Sequence, residues 1–315
     1  EFTPASTLAL VELVRRAGFP PGVVNVVTGY GGEAGAALVE HPDVAKIAFT
    51  GSDETGARIY AAAARGIKHV CLELGGKSPN IVFPDADMDA AVAGVISGIL
   101  AASGQTCIAG SRLLVHRDVH DDFLARLVET AGAARIGDPM LPETDVGPVA
   151  TRPQFAKVMD YIDVAKREGA VCRLGGDRYH GPGARGDQFV RPTIFAGVNN
   201  AMRIAREEVF GPVLAALSFE DEDEAYRIAN DSAYGLGAGV WTSDLSRAIR
   251  ASEEIEAGTV WVNTYRALSY TSPFGGYKRS GIGREGGFEA MREYVQTKSV
   301  WMCTNPVVEN PFVMR

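Results

Sequence analysis

The sequence lacks any run of about 18 apolar residues, the length that a helix needs to cross a bilayer. Its longest candidate, Ala90 to Ala102, is too short and is broken by glycines and a serine, so no membrane role is expected. Basic charge is also scarce: 31 Lys and Arg stand against 39 Asp and Glu, a formal net charge of -8. A nucleic-acid partner, which needs a basic face, is not expected. Cysteine is sparse, with only Cys71, Cys107, Cys172 and Cys303. They form no CxxC pair and have no His at ligand spacing, so neither a metal site nor a disulfide framework is expected. Four such thiols read as reduced, and the expected compartment is the cytoplasm. An initiator Met is missing too, so the absence of a targeting segment carries no information.

What is present is an ordinary globular composition, 46% hydrophobic and 22% charged, in a chain long enough for two domains. Thr3 is placed as the N-cap and Pro4 as the first residue of an opening helix with Leu8, Leu10, Val11 and Val14, stopping at Gly18. Strands are expected at 23–28, 44–49, 70–74 and 80–83, with helices at 34–39 and 54–65 between them. A long apolar helix follows over 88–102. Strands at 113–116, 171–174, 213–219, 238–241 and 259–263 then alternate with helices at 121–135, 155–167, 223–230 and 245–254. This alternation predicts an α/β fold with parallel pairing and at least two sheets. Residues 179–187, rich in Gly and Pro, are expected to form a loop.

Glycine turns suggest where a dinucleotide would sit. Gly29-Tyr30-Gly31-Gly32-Glu33-Ala34 fits a weak G-x-G-x-x-A pattern, and a plain strand-to-helix turn explains it equally well. In Phe49-Thr50-Gly51-Ser52-Asp53-Glu54-Thr55-Gly56, Ser52 caps a helix whose free N–H groups suit a phosphate, or serves as a cap and nothing more.

Two further motifs carry chemistry. Cys71-Leu72-Glu73-Leu74-Gly75-Gly76-Lys77-Ser78 sets a carboxylate at a strand end among leucines, where desolvation raises its pKa toward that of a useful base. Gly104-Gln105-Thr106-Cys107 sets a thiol in a turn after a long helix, with its own N–H facing a potential oxyanion. A solvated Glu and an inert buried Cys are the bland alternatives.

Together these motifs resemble those of the aldehyde dehydrogenase superfamily. Glu207-Glu208-Val209-Phe210-Gly211-Pro212-Val213 and Pro273-Phe274-Gly275-Gly276-Tyr277-Lys278-Arg279-Ser280-Gly281 extend the resemblance in the family's order, from Glu1 to about Trp301. It implies part of a Rossmann-like cofactor domain plus an α/β catalytic domain. The expected bounds are 1–75 for the cofactor part, 76–276 for the thiol-bearing part, and 277–315 for a C-terminal helix and oligomerisation strand.

The resemblance also implies roles. Cys107 takes the place of the nucleophile and Glu73 that of the base that activates water. Gly51, Ser52, Gly56 and Leu74 fall at the cofactor, the first three at its pyrophosphate. Glu208 and Gln154 fall at the nicotinamide ribose, with Phe210 against the nicotinamide. Glu1 aligns with a carboxylate at the adenosine ribose, the end of a Lys-Pro-Ser-Glu-like motif whose first three residues are absent. A carboxylate there repels a 2′-phosphate, favouring NAD, with NADP as the alternative. Tyr265, Arg266 and Tyr270 fall where the family lines its substrate entrance; Arg266 would receive the carboxylate of a semialdehyde, or else is a solvated surface Arg. The expected reaction is oxidation of an aldehyde to an acid through a hemithioacetal and a thioester, in a homodimer or homotetramer. The strand expected at 299–302 would cross to a second subunit.

The departure from the family lies at the N-terminus. The opening strands of the cofactor sheet, the adenosine-ribose Lys and the oxyanion-hole Asn have no counterpart here. One lost oxyanion donor costs about 100- to 1,000-fold in rate. A shortened chain, a proteolytic remnant or part of a longer protein is therefore expected, with an apolar sheet edge left open. The rival readings are an inactive fragment kept as a scaffold and a Cys-dependent acyl hydrolase; the latter needs a His partner that no motif supplies.

Overall fold

The computed structural model describes residues 1–305 together with Asn310 and Phe312. Its core is a seven-stranded sheet in the order β10-β9-β3-β4-β7-β6-β5. The strands are β3 (Pro79–Val82), β4 (Arg112–His116), β5 (Val171–Leu174), β6 (Thr193–Ala196), β7 (Val213–Phe219), β9 (Gly237–Trp241) and β10 (Thr259–Val262). All neighbouring pairs are parallel except β5 with β6. Such strands need cover on both faces, and the side chains alternate accordingly. Ile81, Leu114, Ala215, Leu217 and Val240 pack with the helices Arg152–Arg167 and Glu222–Asn230. Val82, Leu113, Val115, Leu214 and Trp241 pack with Met88–Leu100 and His120–Gly132. Asp87, Thr151 and Asp221 cap three of these helices through their side-chain oxygens.

A smaller sheet has the order β1-β2-β12, formed by β1 (Lys46–Thr50), β2 (His69–Glu73) and β12 (Gly281–Ile282). β1 and β2 are parallel, and β12 returns antiparallel with Gly281 opposite Glu73. A two-stranded ribbon pairs β8 (Tyr234–Gly235) with β11 (Tyr277–Lys278). Ser280 joins these parts: its hydroxyl donates to the Gly75 carbonyl at 2.7 Å and accepts from the Gly235 N–H at 3.0 Å.

Several expected elements differ. The opening helix runs Ala5–Arg16 after Pro4, so Thr3 lies one residue too early to cap it, and none of its residues is buried. Residues 23–28 form no strand, because no neighbouring strand offers them a ladder, and Val23, Val24 and Val27 are exposed. A π-turn at Gly31–Gly35 precedes the short helix Ala36–Glu40. The helix expected within 277–315 is confined to Gly287–Arg292, because the residues before it form β11, β12 and the bridge of Glu285 to Phe274. Residues 299–302 pair with no strand among the described residues. Strands β6, β8, β11 and β12 were not expected: three of these are two-residue pairings without periodicity, and β6 is a short, wholly buried run without alternation.

Candidate active site

β2 delivers Glu73 to the start of the double-glycine turn, where the Leu74 N–H donates to the Ser280 carbonyl at 2.9 Å. The carboxylate is 4% exposed and neither oxygen has a hydrogen-bond partner. Burial, then the charge of Glu285, raises its pKa to about 8, with Arg284 opposing. Gly275 has to be small here, because a Cβ on it would lie 2.9 Å from Glu73 Oε1.

The thiol reaches the same place from the opposite direction. After Met88–Leu100 the chain turns through three successive left-handed residues, Ala102, Ser103 and Gly104 at φ 51°, 54° and 71°. For Ala and Ser this conformation costs on the order of 1 kcal/mol each. Side chains oppose that cost: Ser103 Oγ donates to the Gly147 carbonyl at 3.0 Å, and Gln105 Oε1 accepts from the Ala150 N–H at 2.9 Å. Cys107 emerges half-buried. Burial, then the charge of Glu208, pushes its thiol above the ordinary value; Glu73 adds to this, while the N–H groups of Ile108 and of Cys107 itself favour the thiolate.

Glu208 completes the cluster. Its Oε1 accepts from the Gly76 N–H at 3.0 Å, and a Cβ on Gly75 would lie 2.6 Å from Oε2. Burial raises its pKa, opposed by the Gly76 N–H, Lys157 and Lys77. Phe210 follows in a left-handed conformation at φ 57°. Thr151 caps the helix that places Gln154 in its first turn, from which Gln154 Nε2 donates to the carbonyls of Val209 and Phe210 at 2.8 and 2.9 Å. Gln154 therefore braces the Glu208–Phe210 loop.

The Gly51–Gly56 turn sits one strand away. The Gly51 N–H donates to the Glu73 carbonyl at 3.1 Å, and Ser52 Oγ accepts from the Thr55 N–H at 3.2 Å, capping Asp53–Arg65. A Cβ on buried Gly56 would lie 2.5 Å from a Leu74 methyl, so turn, helix and Leu74 form one packed unit. Glu1 lies exposed, with no side-chain hydrogen bond among the described residues.

The three substrate candidates separate. Tyr265 is buried, its hydroxyl donating to the Ile108 carbonyl at 2.9 Å and its ring tilted against Trp261. Arg266 is half-buried at φ 65°, with Nη1 3.3 Å from the Ser97 carbonyl. Tyr270 is 90% exposed. Phe274, quoted above only as part of a motif and given no role, is partly buried in the apolar cluster that also holds Cys107. Lys77 and Arg112, both 1% exposed, were missed because Lys and Arg are rarely buried. Among the described residues no cluster of three His, Cys, Asp or Glu could hold a metal, and no His hydrogen-bonds Cys107. No helix among them is long and apolar enough to cross a membrane.

Comparison with known proteins establishes the family. The sequence profile of the Aldehyde dehydrogenase family matches residues 1–300. A betaine aldehyde dehydrogenase of Cereibacter sphaeroides is 48% identical over 98% of this chain and 62% of its own length. An aldehyde dehydrogenase of Emericella nidulans is 48% identical over 95% of this chain and 60% of its own. A solved betaine aldehyde dehydrogenase of Staphylococcus aureus, in complex with NAD+, superposes with a TM-score of 0.97 at 40% identity, over 99% of this chain and 64% of that one. The chain belongs to the aldehyde dehydrogenase family. It spans about three-fifths of the length of the curated relatives it matches.

Proposed function

We propose that the protein containing this chain oxidises an aldehyde to a carboxylic acid with NAD, using Cys107 as nucleophile and Glu73 as base. The observation that carries this reading is the meeting at the Gly75–Gly76 turn, two residues after Glu73, of the Cys107 main chain, against Gly76, and the Glu208 carboxylate, over Gly75. The Cys107 thiolate attacks the aldehyde carbon and forms a hemithioacetal, whose oxyanion the Cys107 N–H faces. NAD, when bound, supplies the hydride acceptor, and oxidation leaves a thioester on Cys107. Glu73, buried and free of donors, then takes a proton from the water that hydrolyses the thioester.

The residues fit the cofactor. Glu208 Oε2 has no donor among the described residues and is available to ribose hydroxyls, with Gln154 holding the loop that bears Phe210. The Ser52-capped helix offers N–H groups without intrahelical acceptors to a pyrophosphate, beside Gly51, Gly56 and Leu74. NAD is preferred over NADP because Glu1 would repel a 2′-phosphate; the Staphylococcus aureus relative was solved with NAD+.

The proposed units are 1–75 for the cofactor, 76–276 for the thiol and 277–315 for association as a dimer or tetramer. Exposed Val300, Trp301 and Met302 are the apolar residues a partner subunit would cover. Four free thiols support a cytoplasmic setting. Arg266 has donors left over after Ser97 and favours a semialdehyde among substrates.

NADH formation with a panel of aldehydes tests the reading, with Cys107→Ala beside the parent protein. NADH from the parent alone supports it. Calorimetry showing no NAD binding would instead support an inactive, scaffold-like fragment, and thioester hydrolysis without NADH would support an acyl hydrolase.

A further inference from the structure

Cys107 lies second in a four-residue turn, Thr106–Ala109, closed by the Ala109 N–H donating to the Thr106 carbonyl at 3.0 Å. The two central N–H groups of such a turn, here those of Cys107 and Ile108, take no part in its closing bond, and both favour the Cys107 thiolate. Their aim depends on the closing peptide, whose other side is the Ile108 carbonyl. That carbonyl belongs to a buried residue and accepts from the Tyr265 hydroxyl at 2.9 Å. Among the described residues nothing else donates to it.

Tyr265 is itself held from every side. Before it, Asn263 Oδ1 accepts from the Thr242 N–H at 3.0 Å and Asn263 Nδ2 donates to the Thr242 carbonyl at 2.8 Å. After it, the Ala267 carbonyl accepts from Trp261 Nε1 at 2.8 Å, and the Trp261 and Tyr265 ring centroids lie 4.8 Å apart. A Cβ on Gly98, Gly110 or Gly239 would lie 3.2, 3.0 or 2.6 Å from the tyrosine side chain. None of the three has a left-handed φ, so their small size serves the ring and not the backbone. They belong to the helix Met88–Leu100, the segment after the thiol, and β9, so three separate elements leave room for one side chain. Burial pushes the hydroxyl well above its ordinary range, and Tyr265 stays a neutral donor.

We propose that Tyr265 is a positioning residue for the thiol: its hydroxyl anchors the closing peptide of the Thr106–Ala109 turn and so aims the Cys107 and Ile108 N–H groups at the sulfur. The proposal rests on the reading of Cys107 as nucleophile only for its effect on turnover. Without the hydroxyl, the Ile108 carbonyl is left buried with no donor and turns to find one, which pulls the Ala109 N–H from Thr106. The carboxylates that act on the thiol, Glu208 and Glu73, keep their charge when a neutral hydroxyl is removed.

The experiment follows the pH dependence of Cys107 alkylation by iodoacetamide in the whole protein, read by peptide mass spectrometry, with thermal unfolding beside it. In Tyr265→Phe the alkylation midpoint rises by about half to one pH unit, because the thiolate loses aligned donors. Gly110→Ala keeps the hydroxyl, but its methyl would lie 3.0 Å from it, and the midpoint moves the same way by less. Tyr226→Phe is the control: it removes another buried hydroxyl, 3.5 Å from the Arg247 carbonyl, and leaves the midpoint in place. If Tyr265→Phe does not fold, Gly110→Ala decides. Unmoved midpoints in the folded variants, or an equal shift in Tyr226→Phe, overturn the inference. With an aldehyde and NAD, the NADH burst of Tyr265→Phe slows about tenfold while NAD affinity is unchanged. Shifted midpoints in a protein that forms no NADH leave the positioning role standing and remove the dehydrogenase reading.

Discussion

A Cβ on Gly76 would lie 2.4 Å from the carbonyl oxygen of Cys107. This contact is between two main chains, so no side-chain rotation relieves it. The turn that holds Glu208 through the Gly76 N–H is therefore also the surface on which the thiol loop rests.

Gly76→Ala is expected to push the two segments apart. It should destabilise the fold by about 1–3 kcal/mol and remove activity, because both Cys107 and Glu208 are displaced. Gly32→Ala is the control, with nothing within 4 Å of its added methyl. Thermal unfolding and alkylation of Cys107 measure the two effects.

Glu73 with a pKa of about 8 is largely protonated at neutral pH. Water activation needs the ionised form, so steady-state turnover should rise with pH up to a midpoint of about 8. Glu73→Gln should keep a single burst of NADH and lose turnover by about 100-fold or more, since only thioester hydrolysis needs the base. Stopped-flow NADH traces across the pH range separate burst from steady state.

Arg266→Ala should raise KM for a semialdehyde about tenfold and leave KM for an aldehyde without a carboxylate unchanged. Equal changes for both substrates would assign Arg266 to the loop through its Ser97 bond alone.

Asp85 ties the end of β3 to the segment after β9. Burial by itself would raise its pKa, but Thr242, Ser243 and Arg247 together hold it at about 2. The folded value lies below the ordinary one. The associated stability is thus present above about pH 4 and is lost as the pH falls through 2. For a group this open to solvent it is worth about 1 kcal/mol. Asp85→Asn should lose that amount at neutral pH and nothing near pH 2, read from urea unfolding.

Arg112→Met should cost about 3–5 kcal/mol, because the carbonyls of Lys77, Ile228 and Ala229 lose their donors in a dry interior. Arg112→Lys restores only part, since one ammonium cannot span the four acceptors that the guanidinium reaches. Urea unfolding of both variants orders them.

Much of this architecture was legible residue by residue. The alternation of apolar runs with helical spacing located β2, β4, β5, β7, β9 and β10 to within a residue or so, because side-chain periodicity is a local property of the backbone. The glycines beside Glu73 and Cys107 were legible for a similar reason, since a turn that admits no Cβ leaves its mark in composition. Pairings and burial across long chain separations were not. The parallel α/β class was readable from the chain alone, and its motifs put forward Glu73 and Cys107 as candidate reactive groups and Glu208 as a candidate cofactor ligand. Only the tertiary structure decided that Gly281 returns to pair with Glu73, that Ala102 and Ser103 adopt left-handed turns, and that Lys77 and Arg112 lie in the interior. Each of those depends on free energy supplied by distant partners, such as the Gly147 carbonyl for Ser103 or the Ile228 and Ala229 carbonyls for Arg112, and no local pattern records them.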